Sequence, residues 1–81
     1  MSNELTEDQI QTRVFALIEE AGPWKPPDAL TPLRDLGIDS LSVMDLLSAV
    51  EKDFSFRIPD EDVNRFANAQ DIISYVKNRR F

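Results

Sequence analysis

The chain contains neither cysteine nor histidine among its 81 residues. Without these side chains it has no thiol nucleophile, no imidazole general base and neither of the main soft metal ligands. Any thiol or thioester chemistry must therefore use a sulfur atom that the sequence does not encode. Disulfide bonds are excluded too, so nothing points to an oxidising compartment.

Long apolar runs are also missing, and none approaches the roughly 20 residues that a helix needs to cross a bilayer. Residues 1–4 lack the basic region and apolar run of a signal peptide. We therefore expect a cytoplasmic protein. With 42% hydrophobic residues, the chain suits one small domain, 1–81, whose thin core leaves little room for an enzyme cleft.

Positive charge is scarce, with nine basic against fifteen acidic residues and a net charge of −6. Such a field repels nucleic acid and favours partners that have basic docking surfaces. The acidic residues are concentrated in 40–62, whereas 63–81 is mainly basic. On composition alone, an ordinary solvated acidic surface is the simpler interpretation.

The apolar periodicity predicts an all-α protein with three main helices and one short helix. The first helix is predicted at 6–21 and ends at a Gly-Pro pair. Thr6 and Gln9 have the spacing of a capping box, and Leu5 and Ile10 that of a hydrophobic staple.

The second helix is predicted to begin near Asp39 and Ser40, both good N-cap residue types. Its core face has apolar residues at helical spacing: Val43, Leu46, Leu47, Val50 and Phe54. A short third helix is predicted at 60–65, and Asn68 with Asp71 would cap the fourth.

Residues 22–38 are predicted to form a long, proline-rich loop, because proline blocks continued helix. A loop this long in a small domain is often functional. Its apolar residues predict that it packs across the helices: Trp24, Leu30, Leu33, Leu36 and Ile38.

The stretch 36–46 contains the residues on which function would depend. Gly37 allows a tight approach to the second helix, and Ser40 falls at its amino end, where backbone N–H groups and the helix dipole favour a phosphate. Ser40 cannot be an ordinary nucleophile, since no histidine activates it and the Asp39 carboxylate is too weak a base. A partner enzyme must perform the chemistry. On the dipeptide alone, a capping role is the simpler interpretation.

The sequence Gly37-Ile38-Asp39-Ser40-Leu41, followed by Met44-Asp45-Leu46, resembles the phosphopantetheine attachment signature of the acyl carrier protein family. Ile58-Pro59-Asp60 is similar to the family's approach to its third helix, and the helix order matches over about the whole chain. The resemblance implies a four-helix acyl-carrier bundle that carries cargo for other enzymes and is not itself an enzyme.

It further implies that a holo-synthase, using coenzyme A and magnesium, attaches phosphopantetheine to Ser40, and that Asp39 engages the synthase or its metal. The thiol of the arm would carry acyl groups as thioesters, and the tether would raise their effective concentration at a docked active site. The expected partners are acyl-loading and acyl-transferring enzymes: ligases, ketosynthases and acyltransferases. A monomer with no metal site of its own is expected.

Leu41 and Met44 lie off the core face and would form an apolar docking patch flanked by Asp45 and Glu51. For Met44, covering the edge of the core is an equally good interpretation. The acidic residues 60–62 would either extend this surface or simply begin the short helix.

Three features differ from common fatty-acid carriers: Ser42 stands where many are acidic, Lys52 interrupts the acidic run, and Trp24 lies in a proline-rich loop. They favour a specialised pathway over primary fatty acid synthesis, with polyketide synthesis among the alternatives. Two other hypotheses remain open. One is a peptidyl or D-alanyl carrier with an aminoacyl group on the same arm, and the other is an unmodified helical interaction module.

Overall fold

The computed structural model describes residues 6–22 and 24–80, and this part of the chain is helical. Three α-helices are joined by segments that contain two short 3₁₀ helices, η1 and η2. In chain order the elements are α1 (Glu7–Ala21), η1 (Leu33–Leu36), α2 (Ser40–Phe54), η2 (Asp60–Arg65) and α3 (Ala69–Arg80). The all-α class and the predicted helix order are confirmed, and η1 is an addition within the predicted loop. None of the described helices has the length and hydropathy that crossing a bilayer requires.

The start of α1 is the capping box that its sequence predicts. The Gln9 N–H donates to the Thr6 hydroxyl at 3.1 Å, and the Thr6 N–H donates to the Gln9 side-chain oxygen at 2.8 Å. These two bonds satisfy backbone donors that a helix start leaves without partners. Ile10 is fully buried, whereas its proposed staple partner Leu5 lies outside the described residues.

The core forms where the apolar faces of the three α-helices meet. Its buried residues on the helices are Ile10, Val14, Leu17, Ile18, Leu46, Leu47, Val50, Phe54, Ala69, Ile72, Ile73 and Val76. Val43, predicted on the same face of α2, is only partly buried and packs at the edge of the core. Burial of these side chains supplies most of the stability of so small a protein.

The segment before α2 packs partly as predicted. Leu33, Leu36 and Ile38 are buried, but Trp24 is 60% exposed and Leu30 is 69% exposed, so the packing prediction is wrong for these two. Leu30 is exposed because it lies in a tight turn whose hydrogen bonds are accepted by the Asp28 side chain.

The Asp28 carboxylate accepts hydrogen bonds from the N–H groups of Leu30 and Thr31 and from the Thr31 hydroxyl. The backbone bond from Leu30 is the main cause that lowers the pKa of Asp28. Such side-chain bonds form a tight Asx-type turn, which turns residue 30 outward.

This loop is also tied to the start of α3. The Leu33 N–H donates to the Ala67 carbonyl at 2.9 Å, and the Gln70 N–H donates to the Ala29 carbonyl at 2.9 Å. An isolated antiparallel bridge joins Pro32 to Asn68 between these bonds. The loop therefore has a defined path across the bundle instead of a free one.

The predicted cap of the last helix is also confirmed. The Asp71 N–H donates to the Asn68 side-chain oxygen at 2.9 Å, and the Asp71 carboxylate in turn accepts the Ala67 N–H at 2.8 Å. Two hydrogen bonds to Asp71 thus fix the connection between η2 and α3 to the start of α3. This matters for function because Ala67 lies beside the candidate site.

Candidate functional site

Ser40 is the first residue of α2 and is exposed. The cap of this helix is Asp39, whose carboxylate accepts the Ser42 N–H at 2.9 Å. In the described part of the chain, the Ser40 hydroxyl has no hydrogen bond. The two residues therefore have different roles: Asp39 caps the helix, and the Ser40 hydroxyl remains accessible at its positive end.

The ionisation of Asp39 is consistent with its role as the helix cap and not as a base for Ser40. Its hydrogen bond from the Ser42 N–H, followed by one from the Ser42 side chain, lowers the pKa of the Asp39 carboxyl. A hydrogen-bonded carboxylate of this kind stays ionised and is an even weaker base than a free one. Asp39 can therefore attract a cation, but it cannot activate the neighbouring hydroxyl.

Gly37 directs the chain into α2. It has φ 79°, in the left-handed region that glycine adopts at little cost, and its N–H donates to the Arg34 carbonyl at 3.2 Å. The Ile38 N–H then donates to the Leu33 carbonyl at 3.2 Å, and the Ile38 side chain is buried. This anchor in the core, two residues before Ser40, fixes where the serine emerges.

Gly22 places the end of α1 against this anchor, a role that sequence analysis missed because it treated the residue only as a helix stop. A Cβ atom at Gly22 would lie 2.7 Å from Ile38 Cγ1 and 2.9 Å from the Leu36 carbonyl oxygen. Only glycine allows this approach without displacing a neighbour.

A surface groove of about 580 Å³ begins at Ser40. Its lining comes from residues 32–34 and 38–40, from Val43 on α2, and from Phe66 and Ala67. The exposed hydroxyl at a helix N-terminus, with a groove beside it, fits a phosphate-linked group whose remainder extends away from the helix.

The predicted recognition residues on α2 lie on one exposed face. Leu41 is 79% exposed, Met44 is 48% exposed, and Asp45 is exposed. Their i, i+3 and i+4 spacing places the three side chains side by side. Met44 thus contributes to the exposed surface of α2, and among the described residues it is not one of those that pack against the core.

Glu51, also predicted as a recognition residue, has a structural bond that its sequence context did not indicate. It is half-buried, and its carboxylate accepts the Ile58 N–H at 2.6 Å. This bond joins the end of α2 to the segment that leads into η2. Glu51 therefore differs from Asp45, for which no intramolecular partner is recorded among the described residues.

No group of three side chains able to hold a metal ion occurs within residues 6–22 and 24–80. The acidic start of η2 is also partly engaged. Asp62 accepts a hydrogen bond from the Tyr75 hydroxyl at 2.8 Å and pairs with Arg65 at 3.4 Å. Asp60 and Glu61 are exposed.

Comparison with known proteins agrees with this geometry. Residues 13–76 match the family model described as "Phosphopantetheine attachment site". The chain is 30% identical to the acyl carrier protein of Rickettsia bellii over 76 residues, which cover 90% of this chain and 94% of that one. It is 35% identical to the acyl carrier protein of Bdellovibrio bacteriovorus over 65 residues, or 78% and 83% of the two chains. A mitochondrial acyl carrier protein of Dictyostelium discoideum is 32% identical over 75 residues, or 90% and 62%.

A helical fold with an exposed serine at the start of α2, together with these matches, defines a carrier that has covalently attached phosphopantetheine and is not an enzyme. The chain belongs to the acyl carrier protein family. The attached group supplies the thiol that the sequence itself lacks.

Proposed function

We propose that phosphopantetheine is attached to the Oγ atom of Ser40. The observation that carries this assignment is the exposed hydroxyl of Ser40 at the start of α2, which makes no hydrogen bond to any described residue and lies next to an aspartate that already caps the helix. The new bond joins Oγ to the phosphorus that carries pantetheine, as the diphosphate bond of coenzyme A breaks and adenosine 3′,5′-bisphosphate leaves. Because the chain has no histidine and Asp39 is a weak base, the holo-synthase must accept the serine proton.

In this proposal the residues around Ser40 position the acceptor. Ile38 anchors the backbone in the core, Asp39 fixes the first turn, and the ionised Asp39 carboxylate engages the synthase or its magnesium ion. The role of the chain afterwards is to present acyl thioesters to enzymes that load, modify or remove them.

Intact-mass analysis tests the attachment directly. We expect the full chain, incubated with coenzyme A, magnesium and a holo-synthase that modifies a control carrier, to gain the mass of one phosphopantetheinyl group. Peptide mapping should place it within 36–46. A chain that stays unmodified while the control is converted would instead favour the helical interaction module.

We further propose that Leu41, Met44 and Asp45 form the docking surface for partner enzymes. The supporting observations are two large apolar side chains exposed beside Ser40 and an acidic residue that has no partner within the described part of the chain. A basic partner with an apolar depression would match both features. Glu51 remains a proposed contributor, but its bond to Ile58 makes it a poor residue on which to test docking.

Asp45→Lys should slow modification by the holo-synthase at low ionic strength by at least about threefold, because the substitution reverses a charge that steers association. The difference should shrink as salt is added, since exposed charges are screened. The measurement is the initial rate of adduct formation at several salt concentrations.

Glu19→Lys is the matched control, because Glu19 is an exposed acidic residue on α1 and its reversal gives the same net charge. Its rate should stay close to that of the wild type. Equal slowing of both variants would show a general effect of net charge. It would contradict the proposal that partners dock on this face of α2.

We propose acyl groups as the cargo, in fatty acid, polyketide or related specialised biosynthesis, with residues 1–81 acting as one monomeric carrier domain in the cytoplasm. Ser42, Lys52 and the exposed Trp24 support a specialised pathway, and the relatives named acyl carrier proteins support an acyl cargo. Mass spectrometry of protein from its native host would identify the thioester. An aminoacyl group there would instead indicate a peptidyl or D-alanyl carrier.

A further inference from the structure

Arg34 lies in η1 and lines the groove that begins at Ser40. Its side chain is exposed, and no hydrogen bond or ion pair of its guanidinium is recorded among the described residues. Other cations of the described chain are engaged differently: Arg13 pairs with Asp53 and Lys77 with Glu7. An arginine without a partner is notable beside a serine in a chain with a net charge of −6.

The groove is built from parts that are already fixed in place. The Leu33 N–H donates to the Ala67 carbonyl at 2.9 Å, so two of the backbone segments that line the groove are fixed to each other by a hydrogen bond. Phe66 and Leu33, which also line the groove, are buried. A ligand that enters this groove does not have to order its walls, which reduces the entropic cost of binding.

The chemistry of the groove matches that of the arm. A guanidinium binds phosphate oxygens through paired, charge-assisted N–H donors. A phosphodiester on Ser40 would bring such oxygens to the groove that Arg34 lines, next to the Asp39 carboxylate, which is bonded to the Ser42 N–H. Beyond Arg34 the walls are largely apolar, with Pro32 and Val43 among them. Such walls suit the aliphatic parts of a pantetheine chain.

We infer that Arg34 pairs with the phosphodiester on Ser40 and that the arm lies along the groove lined by residues 32–34, Val43 and residues 66–67 when no enzyme is docked. The inference rests on the proposed attachment at Ser40. It assigns a position to the arm in the free carrier and gives Arg34 a binding role that its sequence context did not indicate.

The test compares the full chain with and without the arm by nuclear magnetic resonance. In the wild type, attachment should change the amide chemical shift of Ala67, which lines the groove and is far from Ser40 in sequence, and not only those of residues next to Ser40. In Arg34→Gln the change at Ala67 should fall by about two- to fivefold, the range expected for loss of one exposed ion pair. The phosphorus resonance of the arm should also move.

Lys25→Gln is the control, since it removes one exposed positive charge from the same loop without altering the groove. It should leave both the Ala67 change and the phosphorus resonance as in the wild type. The Arg34 substitution itself leaves the fold intact, because the hydrogen bond at this residue uses its backbone carbonyl. Circular dichroism of the apo variants verifies this.

Two failures can be told apart by intact mass. If no adduct forms on Ser40, the attachment proposal fails and the inference fails with it. If the adduct is complete but Ala67 responds equally in the wild type and Arg34→Gln, or does not respond in either, the attachment stands and the role of Arg34 is wrong. A selective loss in Arg34→Gln that also weakens in the wild type at high salt supports the ion pair.

Discussion

Ser40→Ala should abolish phosphopantetheine attachment while leaving the fold unchanged. The hydroxyl is the proposed acceptor, so no adduct should appear by intact mass even with excess synthase and coenzyme A. The helix keeps its cap, because that bond runs from the Ser42 N–H to the Asp39 carboxylate. We expect the helical circular dichroism to be preserved and the free energy of unfolding to change by no more than about 0.5 kcal/mol.

Ser42→Ala is the matched control, two residues further along the same helix. Its hydroxyl is not the proposed acceptor, so a full adduct should still form. An adduct on Ser40→Ala would show that attachment occurs elsewhere. Broad unfolding of Ser40→Ala would show that the serine has a structural role, as a capping interpretation requires.

Gly22→Ala should lower the free energy of unfolding more than Ser40→Ala does, although it adds only one methyl group just after the end of α1. That methyl would lie 2.7 Å from Ile38 Cγ1 and 2.9 Å from the Leu36 carbonyl oxygen, so side chain and backbone must both move. Overpacking of this kind costs about 1–3 kcal/mol. In a domain of this size each kcal/mol lowers the melting temperature by about 4–8 °C.

Backbone strain does not contribute to this expected loss, because Gly22 has φ −126° and ψ 169°, an extended conformation open to any residue. Ile38→Ala tests the proposed contact through a double-mutant cycle, since it removes Cγ1 and Cδ1, the two Ile38 atoms that the new methyl group meets. The double variant should be more stable than the two single effects predict by about 0.5 kcal/mol or more. An unchanged melting temperature for Gly22→Ala would contradict the close packing of α1 on the approach to Ser40.

Elements that depend on local sequence were predictable. The capping box at Thr6 and Gln9 and the cap at Asn68 are confirmed because these bonds join residues three positions apart. The core stripes of the helices follow from periodicity in the same way. The outward position of Leu30 was not predicted, because apolar character alone does not reveal which side of a turn faces the core.

In the candidate site, too, features set by local sequence were predictable and contacts between separate segments were not. The exposed position of Ser40 at the start of α2 follows from a short motif and helix-start signals. The hydrogen bond from the Ile58 N–H to the Glu51 carboxylate joins residues seven positions apart across a helix end, and sequence spacing does not predict it. The groove at Arg34 depends on residues 66–67 crossing to the loop, and that approach exists only in the folded chain.

The exposure of Trp24 has a practical consequence for measurements on this protein. It is the only tryptophan in the chain, and it lies two residues after Gly22, which packs beside Ile38 near the origin of α2. Because Trp24 is already 60% exposed in the folded chain, intrinsic fluorescence should change little on unfolding. The same emission should respond when another molecule covers that end of the bundle, so the chain carries an unlabelled optical reporter of binding that is largely insensitive to melting.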